Sequence, residues 1–162
     1  MLKDLLLAEY DHEVASARRL LERLPDDRLS WRPHAKSMTL GGLGTHLARV
    51  PTWTHSILGQ AGFDMADFPP TRDDLTGRDA ILALFAESAG AARVSLDRTD
   101  AEYLAPWTLR REAREVFTVP RLMAFRSFVL NHLIHHRGQL SVYLRLIDVP
   151  VPPIYGPTAD EG

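Results

Sequence analysis

Apolar residues recur at steps of three and four over four stretches of the chain, the period that draws a stripe along one side of an α-helix. Leu6, Tyr10, Val14, Ala17, Leu21 and Leu24 mark the first and predict a helix over residues 2–24, ended before Pro25. Residues 25–38 hold Pro25, Asp26, Asp27, Trp31, Pro33 and His34, which break any helical period and read as an ordered loop. Thr39 can cap a second helix over 39–59, with Leu43, Leu47, Val50, Thr54 and Ile57 on one side and a kink at Pro51. Gly41, Gly42 and Gly44 in its first turns each cost about 1 kcal/mol against alanine, so they predict close approach of another backbone.

A connector over 60–75, containing Gly62 and the Pro69-Pro70 pair, leads to a third helix expected over 77–98. Its stripe is Ile81, Leu84, Phe85, Ser88, Ala92 and Leu96, and Thr76 with Asp79 approximates a capping box. Residues 99–117 lose the period, and short alternating pieces around Trp107 and Val116–Val119 indicate an extended excursion or a small hairpin in a long crossover. Thr118 as cap and Pro120 in the first turn then open a fourth helix expected to run unbroken over 119–147. The tail, 148–162, carries four prolines and either packs extended on the bundle or frays. With no internal repeat, the pattern predicts one all-α domain over residues 1–162, a four-helix bundle whose chemistry would come from inward-facing side chains.

Composition narrows the functions. The 162 residues are 45% apolar and 25% charged with a net charge of −2, so no global positive field attracts nucleic acid or an anionic membrane. Cysteine is absent, which removes disulfides, thiolate metal ligands, iron–sulfur clusters and an internal thiol nucleophile. Any sulfur chemistry needs an outside thiol. Lys3, Asp4, Glu9, Asp11 and Glu13 interrupt the first apolar stretch, so neither a secretory signal nor a membrane span is expected there, and a cytoplasmic location is.

The candidate chemistry lies in histidines on apolar stripes. Helix four carries Phe125, Val129, His132, His136, Leu140, Tyr143 and Ile147 on one face, which points both histidines at the core. Four residues apart, two imidazoles are adjacent on a helix and can chelate one ion. His46, among Leu43, Leu47, Val50 and Trp53, supplies a third inward ring from helix two. Three imidazoles suit zinc, nickel, iron or copper better than magnesium or calcium, and three protein ligands leave a coordination position open. The competing account is a set of hydrogen-bonded core histidines. Within the cluster His135 competes with His136, because it lies three residues from His132 on the stripe of Phe128, Gln139 and Val142; the unbroken apolar stripe favours His136. His12 reads as a surface residue able to approach from helix one, His34 as a loop residue and His55 as outer-face.

An inward histidine in THLARV followed by Trp53, then NHLIHHRGQLSVYLRL with an HxxxHxGQ pattern from His132 to Gln139, then PPIYGPTADE, resembles the DinB family of damage-inducible bacterial proteins over nearly the whole chain. The resemblance implies an up-up-down-down bundle with a long crossover, and a divalent metal held by His46, His132 and His136: zinc or nickel first, iron or manganese next. It also implies an enzyme that uses a low-molecular-weight thiol, such as bacillithiol, mycothiol or glutathione, to transfer a group to or from an electrophilic substrate. Such a metal can hold a thiolate or lower the pKa of bound water toward about 7. Arg110, Arg111, Arg114, Arg121 and Arg126 could meet the carboxylates of such thiols, or be solvated and paired with Glu112 and Glu115. Gln139 either orients a ligand or packs in the bundle. A metal-dependent hydrolase and a non-enzymatic metal-binding stress-response module are the alternatives; binding to DNA is disfavoured by charge. Leu130, Leu133 and Ile134 widen the apolar face of helix four and suggest a homodimer, unless the tail or the 60–75 connector covers them.

Overall fold

The computed structural model describes residues 1–67 and 74–161. The Pro69-Pro70 pair lies outside the described residues. Helix α1 (Leu2–Leu21) is followed by α2 (Leu40–Arg49), a 3₁₀ turn over Val50–Thr52 and α3 (Trp53–Gly59), so the second predicted helix is bent at Pro51. Then come β1 (Gly62–Asp64), α4 (Arg78–Ser95), a single-turn α5 (Asp100–Leu104) and the hairpin β2 (Pro106–Arg111) and β3 (Arg114–Pro120). The last helical stretch is α6 (Arg121–Phe125), a π segment over Arg126–Leu130 and α7 (Asn131–Leu146).

Helices α1 and α2 each pack on both α4 and α7, which puts α1 and α2 at opposite corners of a bundle. The core between them is largely aliphatic: Leu20, Leu21, Leu24, Leu40, Leu43, Leu47, Leu133, Leu140 and Leu144 are fully buried, each stabilising by about 1.5–3 kcal/mol relative to exposure. Of the three residues that suggested a second copy, Leu130 and Leu133 are buried within the single chain and Ile134 is half-buried.

The order is up-down-down-up and not up-up-down-down. Lys3 reaches Asp97 at 2.6 Å and Tyr10 donates to the Ala89 carbonyl at 3.0 Å, so α4 runs opposite to α1. Ser88 donates to the Ala48 carbonyl at 2.6 Å while Gly44 lies against Ile81, so α2 and α4 run together. His46 meets His132, and further along α3 the Leu58 carbonyl accepts from Arg121, so α2–α3 and α7 are antiparallel. The cause is the loop after α1. Gly41 N–H donates to the Leu29 carbonyl at 2.8 Å, and a Cβ at Gly41 would lie 3.2 Å from that oxygen, so α2 starts beside the end of α1 and turns back. Gly41 thus makes the close backbone approach expected of the three glycines, whereas Gly42 faces the Asp74 and Thr39 side chains and Gly44 those of Leu24 and Ile81. The end of α3 and the start of α4 therefore lie at opposite ends of the bundle, whereas residues 99–120 stay at one end.

That end carries a three-stranded sheet in the order β1-β2-β3, with β1 parallel and β3 antiparallel to β2, so the fold is mostly helical but not all-α. Gly62 pairs with Thr108 so closely that a Cβ would strike the Thr108 carbonyl. The hairpin turns through Glu112 and Ala113, both at positive φ (52° and 65°), and the Asp64 carboxylate accepts from both of their N–H groups. A bond from Ala66 N–H, followed by those from Ala113 and Glu112, holds the Asp64 carboxyl below the usual carboxylate range.

Three predicted caps or helix bounds change. Thr39 does cap α2, accepting from Gly42 N–H at 3.0 Å. Thr76 does not cap α4, whose first N–H, on Arg78, is met by Asp26 from the loop after α1 at 2.7 Å. Thr118 sits inside β3, bonded across to Thr108 Oγ1 at 2.9 Å, and Pro120 precedes the helix. The fourth helix is interrupted by the π segment, where Asn131 N–H reaches back five residues to the Arg126 carbonyl.

The tail packs on the bundle. Arg19 donates to the Pro153 carbonyl at 3.1 Å, Arg23 pairs with Glu161 at 2.6 Å, and Arg145 holds Asp160. Tyr155 reaches Glu13, which forms a buried ion pair with Arg137. No helix among the described residues is long and apolar enough to cross a membrane.

Candidate metal centre

His46 comes from the middle of α2; His132 and His136 come from the first turns of α7. The antiparallel contact of the two helices brings their Nε2 atoms together, His46 to His132 at 3.1 Å and His132 to His136 at 2.8 Å. Among the described residues this is the one group of three ionisable side chains placed to share an ion. His136 is buried, at 8% exposure, whereas His46 and His132 are half-buried, so the cluster is closed on the bundle side and approachable from the other.

Neighbouring groups fix the rings. His136 Nδ1 lies 2.7 Å from Gln139 Oε1, which requires its proton on Nδ1 and leaves the Nε2 lone pair facing the cluster. A backbone hydrogen bond at Phe128 favours the charged form of His132 and so partly offsets its burial. Burial is the first cause holding all three rings below the ordinary histidine range, His136 down to about 4, and the neighbouring imidazoles reinforce it for His46 and His136. All three rings are thereby favoured in the neutral form, the one able to ligate an ion. Tetrahedral zinc with Zn–N of about 2.0–2.1 Å implies N···N separations of about 3.3 Å; two of the three pairs here are at 3.1 and 2.8 Å, and all three atoms lie within 4.8 Å of one another.

The other histidines stand apart. His135 is exposed and only sets its edge against the His136 ring, at 4.8 Å between centroids. His12 is exposed and stacks on Tyr155; His34 Nδ1 accepts from Lys36 N–H in its loop; His55 is exposed on α3. The arginines do not gather over the cluster. Arg126 pairs with Glu9 at 2.6 Å, Arg121 donates to the Leu58 carbonyl, and Arg111 faces Arg114 across the hairpin. No ion pair among the described residues joins them to Glu112 or Glu115. Gln139, whose role the sequence left open, orients a ring.

The sequence reading missed the ion pair of Glu13 and Arg137, one residue beyond His136. The Arg137 side chain is 1% exposed and that of Glu13 7%; Tyr155 O–H donates to both carboxylate oxygens, at 2.9 and 3.0 Å, and the guanidinium lies 4.8 Å from the Tyr155 ring centre. The signal was present: Glu13 lies on a stripe with Tyr10, Ala17 and Leu20, and Arg137 on one with Leu133, Leu140 and Leu144. Opposite charges, each on an apolar stripe, imply that the two helices face each other there.

A mostly helical bundle with three inward histidines on two antiparallel helices defines the class. The DinB family model matches residues 1–162, and the chain belongs to that family. It is 26% identical to the uncharacterized protein YrdA of Bacillus subtilis (strain 168) over 98% of this chain and 90% of that protein. Its fold is similar to that of a DinB-like protein from Bacillus cereus ATCC 10987, with a TM-score of 0.72, 23% identity and coverage of 92% of this chain and 95% of that one. It is also similar to the DinB-like protein YjoA of Bacillus subtilis, with a TM-score of 0.67, 18% identity and coverage of 90% and 95%.

Proposed function

We propose that the chain is a divalent-metal-dependent enzyme whose ion is held by His46, His132 and His136, and that it uses a low-molecular-weight thiol in a transferase reaction. The observation that carries the metal reading is the His132 ring, whose Nε2 lies 3.1 and 2.8 Å from two other Nε2 atoms. Where neither ring of a pair donates, such neutral rings repel through their lone pairs, and a cation between them turns that repulsion into attraction. Zinc or nickel fits an all-imidazole donor set best, with iron or manganese next. When bound, the ion supplies a Lewis-acid position that stabilises a thiolate near neutral pH.

The chain's own groups have separate tasks. Gln139 holds His136 in the tautomer that offers Nε2. The fully buried Leu43, Leu47, Leu133 and Leu140 keep water from the bundle side of the cluster. The half-exposed side, between His46 and His132, is where thiol and electrophile enter. Because the chain has no cysteine, the sulfur must come from the cosubstrate.

The test is metal content of protein purified without added metal or chelator, alongside His46→Ala. About one equivalent in the wild type that is lost in the variant, with helical signal retained, supports the site. Thiol dependence is then read from the ultraviolet thiolate-to-metal band of the cobalt-loaded protein on adding glutathione or bacillithiol. Metal bound equally by both proteins refutes the ligand set. Turnover without any thiol replaces the transferase by a hydrolase.

A further inference from the structure

The metal-ligand cluster has unlike surroundings at its two ends. Along α7 toward the C-terminus the neighbours are His135, Gln139 and Tyr143, the last meeting Trp31 edge-on at 5.8 Å. Toward the sheet they are aromatic. Phe128 lies one turn before His132, about 6 Å along the helix, and Trp53 lies seven residues beyond His46. Since α2–α3 and α7 are antiparallel, both rings fall on the same side of the cluster. They stack, with centroids 6.3 Å apart and planes 15° apart.

Two more rings extend this surface. Phe117 from β3 stacks on Phe128 at 6.1 Å and 6°, and Phe63 from β1 meets Trp53 edge-on at 5.6 Å. Trp107, fully buried, backs the group at 5.9 Å from Phe128 and anchors its N–H on the Ser56 carbonyl. Four elements thus each deliver one ring to one wall, and all four rings are half-buried, unlike the aliphatic core of the bundle. A rigid wall of half-exposed rings beside a few convergent polar groups is the arrangement of a small-molecule site.

We infer that the surface formed by Trp53, Phe63, Phe117 and Phe128 receives the apolar, planar part of the molecule whose polar head meets the ion at His46, His132 and His136. This rests on the metal reading above and names the substrate class: an electrophile, or a thiol adduct of one, carrying an aromatic or flat apolar group. Trp53 and Phe117 are its specificity-determining residues. Neither is a metal ligand, and Phe117 lies on neither ligand helix.

The experiment compares benzohydroxamate with acetohydroxamate on the zinc-loaded protein by calorimetric titration. The two probes share a metal-binding head and differ in phenyl against methyl. Ring burial and stacking predict a preference of about tenfold or more for benzohydroxamate in the wild type. In Trp53→Ala and in Phe117→Leu the preference narrows to about threefold or less, because the affinity for benzohydroxamate falls while that for acetohydroxamate and the zinc stoichiometry stay unchanged. Two variants on different elements guard against one failing to fold. Equal affinities in the wild type, or a preference that survives both substitutions, overturns the inference and leaves the metal reading intact. A wild type that takes up no zinc overturns both.

Discussion

Replacing Arg137 by methionine keeps most of the side-chain stem and removes the guanidinium, which leaves the Glu13 carboxylate buried with the Tyr155 hydroxyl as its remaining side-chain partner. With side chains 1% and 7% exposed, neither member of the pair can recover hydration without opening the contact between α1 and α7. Breaking such a pair from one side costs about 3–5 kcal/mol, against about 0–1 kcal/mol for an exposed pair. Lys3–Asp97, with side chains 39% and 77% exposed, is the internal control. At about 2–4 °C per kcal/mol for a chain of this size, Arg137→Met lowers Tm by roughly 6–20 °C. Urea unfolding of the metal-free protein at pH 7, followed by circular dichroism, gives the free energy directly. Glu13→Gln combined with Arg137→Met recovers about 2 kcal/mol or more of the sum of the single costs, because no unpaired charge stays buried. The reasoning is refuted if Arg137→Met costs no more than Lys3→Met, or if the two changes simply add.

Two further outcomes follow from the histidine cluster. Burial holds His136 at about 4 when folded against 6.5 in the open chain, so between those values the unfolded state binds a proton that the folded state does not. Stability of the metal-free protein is therefore present above pH 6.5 and declines as the pH falls toward 4; urea midpoints at pH 7 and 5 should differ by clearly less in His136→Gln, and an unchanged difference would reject this cause. Gln139→Leu removes the acceptor at His136 Nδ1 while leaving all three ligands, so zinc affinity measured by competition with a chelator drops about 10–100-fold at unchanged stoichiometry; full affinity would show that Gln139 only packs.

Helical periodicity carried the main helices because each buries one stripe, and residues such as Phe85, Phe125 and Leu140 lie where their stripe puts them. It carried His46, His132 and His136 for the same reason, and it separated His136 from His135 by the single polar break at Gln139. What it could not carry is non-local. Helix direction depends on where a loop deposits the next helix, and that was decided by the Gly41 N–H bond to the Leu29 carbonyl, invisible to any stripe. The N-terminus of α4 is satisfied by Asp26, 52 residues away, so the local Thr76-Asp79 pattern misled. The third strand rests on Gly62 opposite Thr108, a pairing across 46 residues, and β1 is too short to alternate. The π segment likewise leaves no mark in a pattern that tolerates steps of both three and four.

His136 and Arg137 are consecutive, so their side chains leave α7 about 100° apart, one toward α2 and the other toward α1. The ion pair to Glu13 thereby fixes the rotation of α7 about its own axis, and with it the direction in which His132 and His136 point. Ligand geometry tolerates little: a turn of about 10–20° or a shift of about 0.5 Å takes a side chain out of a productive arrangement. Stability and metal affinity should consequently separate in the Glu13→Gln, Arg137→Met double variant. Its urea midpoint returns toward that of the wild type because no charge is stranded, yet its zinc affinity stays below, since a neutral contact no longer dictates one helix rotation. Equal zinc affinity in the double variant and the wild type would mean that the Tyr155-capped pair serves the bundle alone, and that Gln139 suffices to aim the His136 ring.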